Sequence, residues 1–275
     1  MHAKLQRRIQ RYGWDKAVEH YDDGWRESLR EAQTQLLQMS AAKPGEHVLD
    51  IACGTGLVTF PLAEAVGPTG RVVATDISQK MVDHVAQAAR QGGYRQVDAF
   101  RADAESLDGL EDAQFDLITC ALGLMYVPEP LEAMKQVTRL LKPGGRAVCA
   151  VWGARKNCGW ADIFPIVDAR VETDVCPMFF RLGTGDVMAM EMEQAGLSPL
   201  ETVRFQTSLP YDTDEAAIEA AFIGGPVALA YDRFDAETRD AAHSEYIASI
   251  APFRSSQGYK IPGEFVVVRG EKGTQ

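Results

Sequence analysis

One stretch constrains this chain more than any other: Val48-Leu49-Asp50-Ile51-Ala52-Cys53-Gly54-Thr55-Gly56. It reads as a short apolar strand, an acid at its end and a tight glycine turn. A helix is expected to follow from Leu57 through Ala65. The two glycines let the backbone approach a ligand where a side chain would clash. The turn feeds a helix N-terminus, whose free N–H groups and dipole favour an anionic group such as a carboxylate.

A second acid sharpens the reading. Val72-Val73-Ala74-Thr75-Asp76 is another strand ending in a carboxylate, 20 residues beyond Gly56. In nucleotide-binding α/β folds an acid at about this spacing takes the ribose hydroxyls. Strands near 47–51, 71–75, 97–101, 115–120 and 146–152 alternate with helices near 57–66, 78–91, 107–111 (a short turn) and 130–141. Such alternation predicts a parallel sheet with helices on both faces. Right-handed crossovers bring every strand's C-terminal end to one edge, where open α/β sheets bind ligands. Asp50, Asp76, Asp103 and Cys120 share that edge.

The type of nucleoside follows from two details. A dinucleotide turn reads G-x-G-x-x-G, and here Thr59 stands at the third position. Asp50 precedes the glycines, where a pyrophosphate would be repelled. A ligand with an ammonium group suits the acidic strand end better, and S-adenosylmethionine offers adenosine, sulfonium and an amino acid together. At these residues the chain resembles the class I S-adenosylmethionine-dependent methyltransferases. It is most similar to their ubiquinone/menaquinone-biosynthesis-type small-molecule group. The resemblance runs from about Val48 to Trp152. It is carried by Asp50–Gly56, by Asp76-Ile77-Ser78 with Met81, by Ala102-Asp103-Ala104-Glu105, by Phe115–Cys120 and by Leu140-Leu141-Lys142-Pro143-Gly144-Gly145.

The resemblance implies a doubly wound, mostly parallel seven-stranded sheet with helical N-terminal and C-terminal cap insertions. It implies S-adenosylmethionine as cofactor and S-adenosylhomocysteine as product. Asp76 would accept both ribose hydroxyls, with Ile77 and Met81 flanking the adenine and Asp103 with Ala104 meeting its edge. Asp50, Ala52, Cys53, Gly54 and Gly56 would form the turn, and Cys120 and Ala121 would close the site under the sulfonium. Tyr21 and Trp25 are placed against the cofactor from the N-terminal helices. Met125, Tyr126, Trp152 and Trp160 are expected to line the acceptor pocket, where aromatic walls suit an apolar or aromatic molecule and attract a cation face-on. His20 and Tyr126 are the candidate bases. The expected reaction is in-line displacement at the methyl carbon, with a small-molecule acceptor as partner; the oligomeric state is left open, a homodimer being one candidate. The rival readings are a non-catalytic S-adenosylmethionine-binding protein and an NAD-dependent oxidoreductase.

Composition narrows the classes. A net charge of −11 over 275 residues argues against a broad phosphate-binding surface, and so against a nucleic-acid substrate. No apolar run approaches membrane-spanning length. The five cysteines, Cys53, Cys120, Cys149, Cys158 and Cys176, include no C-x-x-C pair and read as reduced and cytoplasmic. The five His are scattered, so no metal site is expected.

Three stretches are expected along the chain: 1–42 as a helical lid, 43–152 as the cofactor core, and 153–275 as acceptor-side lid helices with the remaining edge strands of the same domain. Trp14, Val18, Tyr21 and Trp25 give one apolar helical face. A second helix is expected over about Glu27 to Met39, ended by Lys43-Pro44-Gly45. Beyond Trp152, a helix over about Thr184 to Ala195, a strand near 200–208, helices near 213–223 and 235–250 separated by Gly224-Gly225-Pro226, and a strand near 264–270 complete the reading. The last two strands should pair antiparallel, with the 213–250 helices inserted between them.

Overall fold

The computed structural model describes residues 3–172, 176, 178–223 and 227–274. Pro177 and the Gly224-Gly225-Pro226 break lie outside them. Seven strands form the sheet: β1 (His47–Ile51), β2 (Arg71–Asp76), β3 (Val97–Arg101), β4 (Phe115–Ala121), β5 (Leu141–Trp152), β6 (Leu197–Tyr211) and β7 (Gly258–Lys272). Their order is β3-β2-β1-β4-β5-β7-β6, and a two-residue strand, Arg254–Ser255, pairs with the end of β7. The pairs among β1–β5 are parallel, while β7 runs antiparallel to both β5 and β6.

The inner strands are buried on both faces, which is why they read as unbroken apolar runs. Period-two geometry divides them. Val48, Val72, Leu117, Val148, Ala150 and Val267 pack on one side with Leu62, Ala63 and Val66 of α2 (Thr59–Val66). Leu49, Val73, Ile118, Ala147, Cys149 and Val268 face the other side, towards Met134 and Val137 of α4 (Pro130–Leu140). The intervening α3 (Gln79–Gly92) packs Val85 on Ala74 and Ala99.

The first 40 residues depart from the expectation of two helices. They form a single helix, α1 (Ala3–Ser40), about 57 Å long at 1.5 Å per residue. Gly24, where a break would be cheapest, sits against Ala220, and a Cβ there would lie 3.4 Å from the Ala220 backbone. Close packing thus offsets the intrinsic cost of glycine inside a helix. The C-terminal half of α1 belongs to the core: Trp25, Leu29, Ala32, Leu36 and Met39 recur at three- and four-residue steps and are all buried. The N-terminal half runs on past the carboxyl edge of the sheet.

Beyond Trp152 come α5 (Ile163–Asp168) and α6 (Val187–Gln194). β6 and β7 are 15 residues each, longer than their sequence reading, so that their ribbon projects past the Trp152–Phe265 pair that ends β5. The insertion between them holds α7 (Asp214–Ile218), a π-helical turn over Glu219–Ile223, α8 (Ala228–Tyr231) and α9 (Ala236–Ile250). It packs against the outer side of α1, where Lys16 meets Asp232 at 2.6 Å.

Arg146 of β5 holds the end of α1. Its guanidinium donates to the Ser40 and Ala41 carbonyls at 2.6 and 2.9 Å and takes Glu46 bidentately at 2.9 and 2.8 Å. A cation at a helix C-terminus also complements its dipole. With Arg146 almost fully buried, Arg146→Ala should cost about 3 kcal/mol, since it strands a partly buried carboxylate and two carbonyls. Urea unfolding of the two proteins measures this difference.

Candidate active site

The loops leaving β1 to β5 and the free half of α1 enclose a cavity of about 1010 Å³, counting its open mouth. Asp76 ends β2 at its floor and is 7% exposed. Its Oδ2 accepts the Gly54 N–H at 3.0 Å and its Oδ1 accepts the Ser78 N–H at 2.9 Å. A carboxylate offers about four acceptor sites, so Asp76 keeps capacity for a ligand. Burial lifts this carboxyl to about 6, against the pull of the Ser78, Gly54 and Ile77 N–H groups. Gly54 adopts φ +54°, and a Cβ there would meet only Tyr21, at 3.9 Å. A side chain at 54 would therefore enter the cavity.

Asp50 stands apart from that surface. It is 1% exposed and accepts the hydroxyls of Thr59 (2.7 Å) and Thr119 (2.9 Å), binding β1 to α2 and β4. Burial lifts it too, to about 6. Asp50 thus braces the turn from behind instead of facing the cavity, and Thr59, the residue that breaks the dinucleotide pattern, is its partner. Two strand ends carry local strain. Ala52 and Leu122 are non-glycine residues with φ of +55° and +62°, and both line the cavity. Between them Gly123 leaves no room for a side chain, because its Cβ would fall 2.3 Å from that of Ala52.

Of the residues singled out from the sequence, Tyr21, Trp25, Ala52, Gly54, Asp76, Ile77, Met81, Asp103, Ala104, Ala121, Met125, Tyr126, Trp152 and Trp160 line the cavity together. Asp50, Cys53, Gly56 and Cys120 lie behind the lining. Gly56 packs on Phe60 and Val85. Burial pushes the Cys53 and Cys120 thiols well above their ordinary value, so neither is a nucleophile at neutral pH. All five cysteines are free and buried.

His20 corrects the sequence reading. It points outward from α1, half exposed, with Nδ1 3.4 Å from Glu219 of the insertion. Neighbours on a helix diverge by about 100°, so Tyr21 turns inward while His20 turns away. Tyr126 does line the cavity, against Trp14 and Phe179 at ring distances of 5.1 and 5.3 Å. Burial pushes its hydroxyl well above the ordinary tyrosine value, and Tyr21 likewise, so both stay protonated at neutral pH. This works against the base role expected of Tyr126.

The sequence reading missed the polar contacts of α1. Arg7 reaches Glu105 and, at 3.2 Å, Asp103. Asp15 accepts the Ser78 hydroxyl at 2.6 Å and the Lys80 N–H at 3.1 Å. Asp22 accepts the Thr55 hydroxyl at 2.6 Å. Three side chains of α1 thus reach the loops after β3, β2 and β1 in turn. Arg7, Gln10 and Trp14 line the cavity and extend the Tyr21–Trp25 face by the same helical steps. That periodicity was the available signal. Among the described residues no cluster of His, Cys, Asp and Glu could hold a metal, and no helix is long and apolar enough to cross a membrane.

A mostly parallel sheet in this order, with a buried acid ending β2 beside a glycine turn, is the fold and site geometry expected of a class I S-adenosylmethionine-dependent methyltransferase. More narrowly, the model of the ubiE/COQ5 methyltransferase family matches residues 26–162. It is similar to a demethylmenaquinone methyltransferase of Bacillus cytotoxicus, 34% identical over 130 residues, which are 47% of this chain and 54% of that one. The matched part spans about half the length of such curated relatives. The fold extends further. A methyltransferase structure from Bacillus halodurans superposes with a TM-score of 0.64 at 21% identity, over 89% of this chain and 100% of that one. A SAM-dependent methyltransferase from Aquifex aeolicus gives 0.54 at 22% identity, over 69% and 91%.

The donor set fits the cofactor: a buried carboxylate with free lone pairs, apolar Ile77 and Met81 beside it, and an open approach over Gly54. Asp76→Ala should weaken S-adenosylhomocysteine binding by about 1.5–3 kcal/mol, measured by calorimetry. The pH dependence has a definite sign. A ligand that donates to the carboxylate binds the ionised form, so affinity should hold above pH 7 and fall as pH drops through about 6. Asp76→Asn should flatten that profile, and Asp50→Asn should keep it.

Proposed function

We propose that this protein transfers a methyl group from S-adenosylmethionine to a planar, apolar small molecule. The observation that carries the reading is the continuity of one cavity from Asp76 to an aromatic chamber formed by Trp25, Tyr126, Trp152, Trp160 and Phe179. Asp76 would hold the ribose, Ile77 and Met81 the adenine faces, and Asp103 with Ala104 its edge. Bound S-adenosylmethionine supplies an electrophilic methyl on a sulfonium. The acids around the turn favour a cationic ligand, and the aromatic walls accept a cation against their faces.

The residues 1–42 act as the lid in this reading, 43–152 as the cofactor core and 153–275 as the acceptor side of the same domain. Asp15, Asp22 and Arg7 would fasten the lid. The curated relatives are named for demethylmenaquinone, which makes a quinone-type ring the first acceptor class to try. The family match stops at residue 162, so Phe179 and the ribbon beyond Trp152 would set a specificity of this chain's own. The free, buried cysteines suit the reducing conditions of the cytoplasm.

The titratable groups among the lining residues are Arg7, Tyr21, Asp76, Asp103 and Tyr126, and none is a poised base at the aromatic end. The chain would act mainly by alignment and by exclusion of water. The test is transfer of labelled methyl from S-adenosylmethionine to reduced quinones and related hydroxylated rings. Turnover with at least one ring is the expected result. Tight cofactor binding without turnover on any acceptor would favour a non-catalytic binding protein. His20→Ala should leave kcat within about two-fold of the original, because a true general base contributes about 10²–10⁴. A loss on that larger scale would restore His20 to the chemistry.

A further inference from the structure

The aromatic end of the cavity contains two hydrogen-bond donors with nothing to donate to. The indole nitrogens of Trp25 and Trp160 are buried, and neither has a partner in the protein. Both rings line the cavity. They stand on different elements, Trp25 on α1 and Trp160 in the segment after β5, yet their centroids are 6.2 Å apart. Trp152 packs edge-on against both, at 6.4 Å from Trp25 and 4.9 Å from Trp160. The three indoles thus make one wall.

Buried polar groups in folded proteins are nearly all paired, and an unpaired one carries its full desolvation cost. Two such donors in the wall of one cavity point to a ligand that supplies the acceptor. Building the wall from leucine or phenylalanine would avoid the cost altogether. Trp keeps a flat apolar surface and adds one N–H at the edge.

The surroundings restrict what that acceptor is. Arg7 is the one cation among the described lining residues, and it is engaged with Asp103 and Glu105 in the loop after β3. That loop lies four strands across the sheet from β5, or about 19 Å at ordinary strand spacing. A carboxylate or phosphate brought to the indole wall would be buried without a counter-charge. A carbonyl or phenolic oxygen needs only neutral donors.

We propose that the indole N–H groups of Trp25 and Trp160 recognise an oxygen of the methyl acceptor, and so select planar apolar molecules bearing a carbonyl or phenolic oxygen. This rests on the methyltransferase reading of the cavity. The two residues are positioning and specificity-determining groups. They hold the ring by one edge while its reactive atom faces the cofactor.

Three matched probes test this by titration, with and without saturating S-adenosylhomocysteine: 2-naphthol, 2-methylnaphthalene and 2-naphthoate. The wild-type protein should bind 2-naphthol about ten-fold tighter than 2-methylnaphthalene, the scale of one or two neutral hydrogen bonds, and 2-naphthoate more weakly than 2-naphthol. In Trp25→Phe/Trp160→Phe, which keeps two rings and removes both N–H groups, the naphthol preference should fall to about two-fold or less. A second readout uses the unaltered protein. The indole N–H resonances of Trp25 and Trp160, assigned with the single variants, should move on adding 2-naphthol and stay in place with 2-methylnaphthalene. Equal affinity of the first two probes, a preference that survives the double substitution, unmoved indole resonances, or no binding of any probe would each overturn the proposal. Failure of S-adenosylhomocysteine to bind the wild-type protein would instead overturn the methyltransferase reading, and the two failures are separately visible in the same titrations.

Discussion

Two carboxylates are buried where the parallel sheet ends, and the architecture of the site follows from keeping them satisfied. An unpaired carboxylate in such a place would be prohibitive, so each oxygen must be met by a donor fixed in position. For Asp50 the donors are Thr59 and Thr119, which lock α2 and β4 onto the end of β1. For Asp76 they are backbone N–H groups, and one of them belongs to Gly54. The glycine turn is thereby held against the second strand by the same oxygen atoms that face the cavity. The strained backbone at Ala52 and Leu122 persists because these bonds and the Gly123 contact over-determine it.

The same constraint explains why α1 has two different halves. Residues 25–40 are bound by core packing and by Arg146, which closes the helix C-terminus from within the sheet. Residues 3–22 pass over the cavity, joined to it by Arg7, Asp15 and Asp22 and by Trp14 against Tyr126, while Ala17 is buried and Lys16 meets the insertion. Partly exposed polar contacts of that kind contribute far less than burial of Leu29, Leu36 and Met39. The helix is therefore firmly rooted at one end and loosely fastened at the other.

Much of this was legible in the sequence, for identifiable reasons. The inner strands β1, β2, β4 and β5 announced themselves as apolar runs, and burial on both faces is the cause of such runs. Asp76 could be placed because spacing from a glycine turn is fixed by one helix and one strand. The continuity of α1 could not be read, since the residue that closes on Gly24 is Ala220, far along the chain. His20 misled because adjacency in sequence to Tyr21 means divergence on a helix. Asp50 could be read either as orienting the turn or as reaching a ligand ammonium, because a carboxylate at a strand end looks the same whether it faces a ligand or two threonines. Its partner Thr59 was in view as a departure from the dinucleotide pattern, but its pairing with Asp50 becomes visible only in three dimensions.

The cavity is chemically divided along the sheet. Towards β1, β2 and β3 it is built from acids, backbone N–H groups and Arg7, while towards β5 it is built from indole and phenyl rings. On the proposed reaction this division has a thermodynamic consequence. The acids at one end favour a ligand that carries positive charge, and transfer of the methyl group removes that charge from the cavity. Once the acceptor has released its proton to solvent, the attraction that assembles the complex is thus weakened by its own chemistry, while at the aromatic end a methyl group has replaced a hydrogen, which apolar walls tolerate. Net negative charge around the turn therefore distinguishes substrate from product without any residue needing to move, and Asp50 and Asp76, the groups that are most costly to bury, supply it.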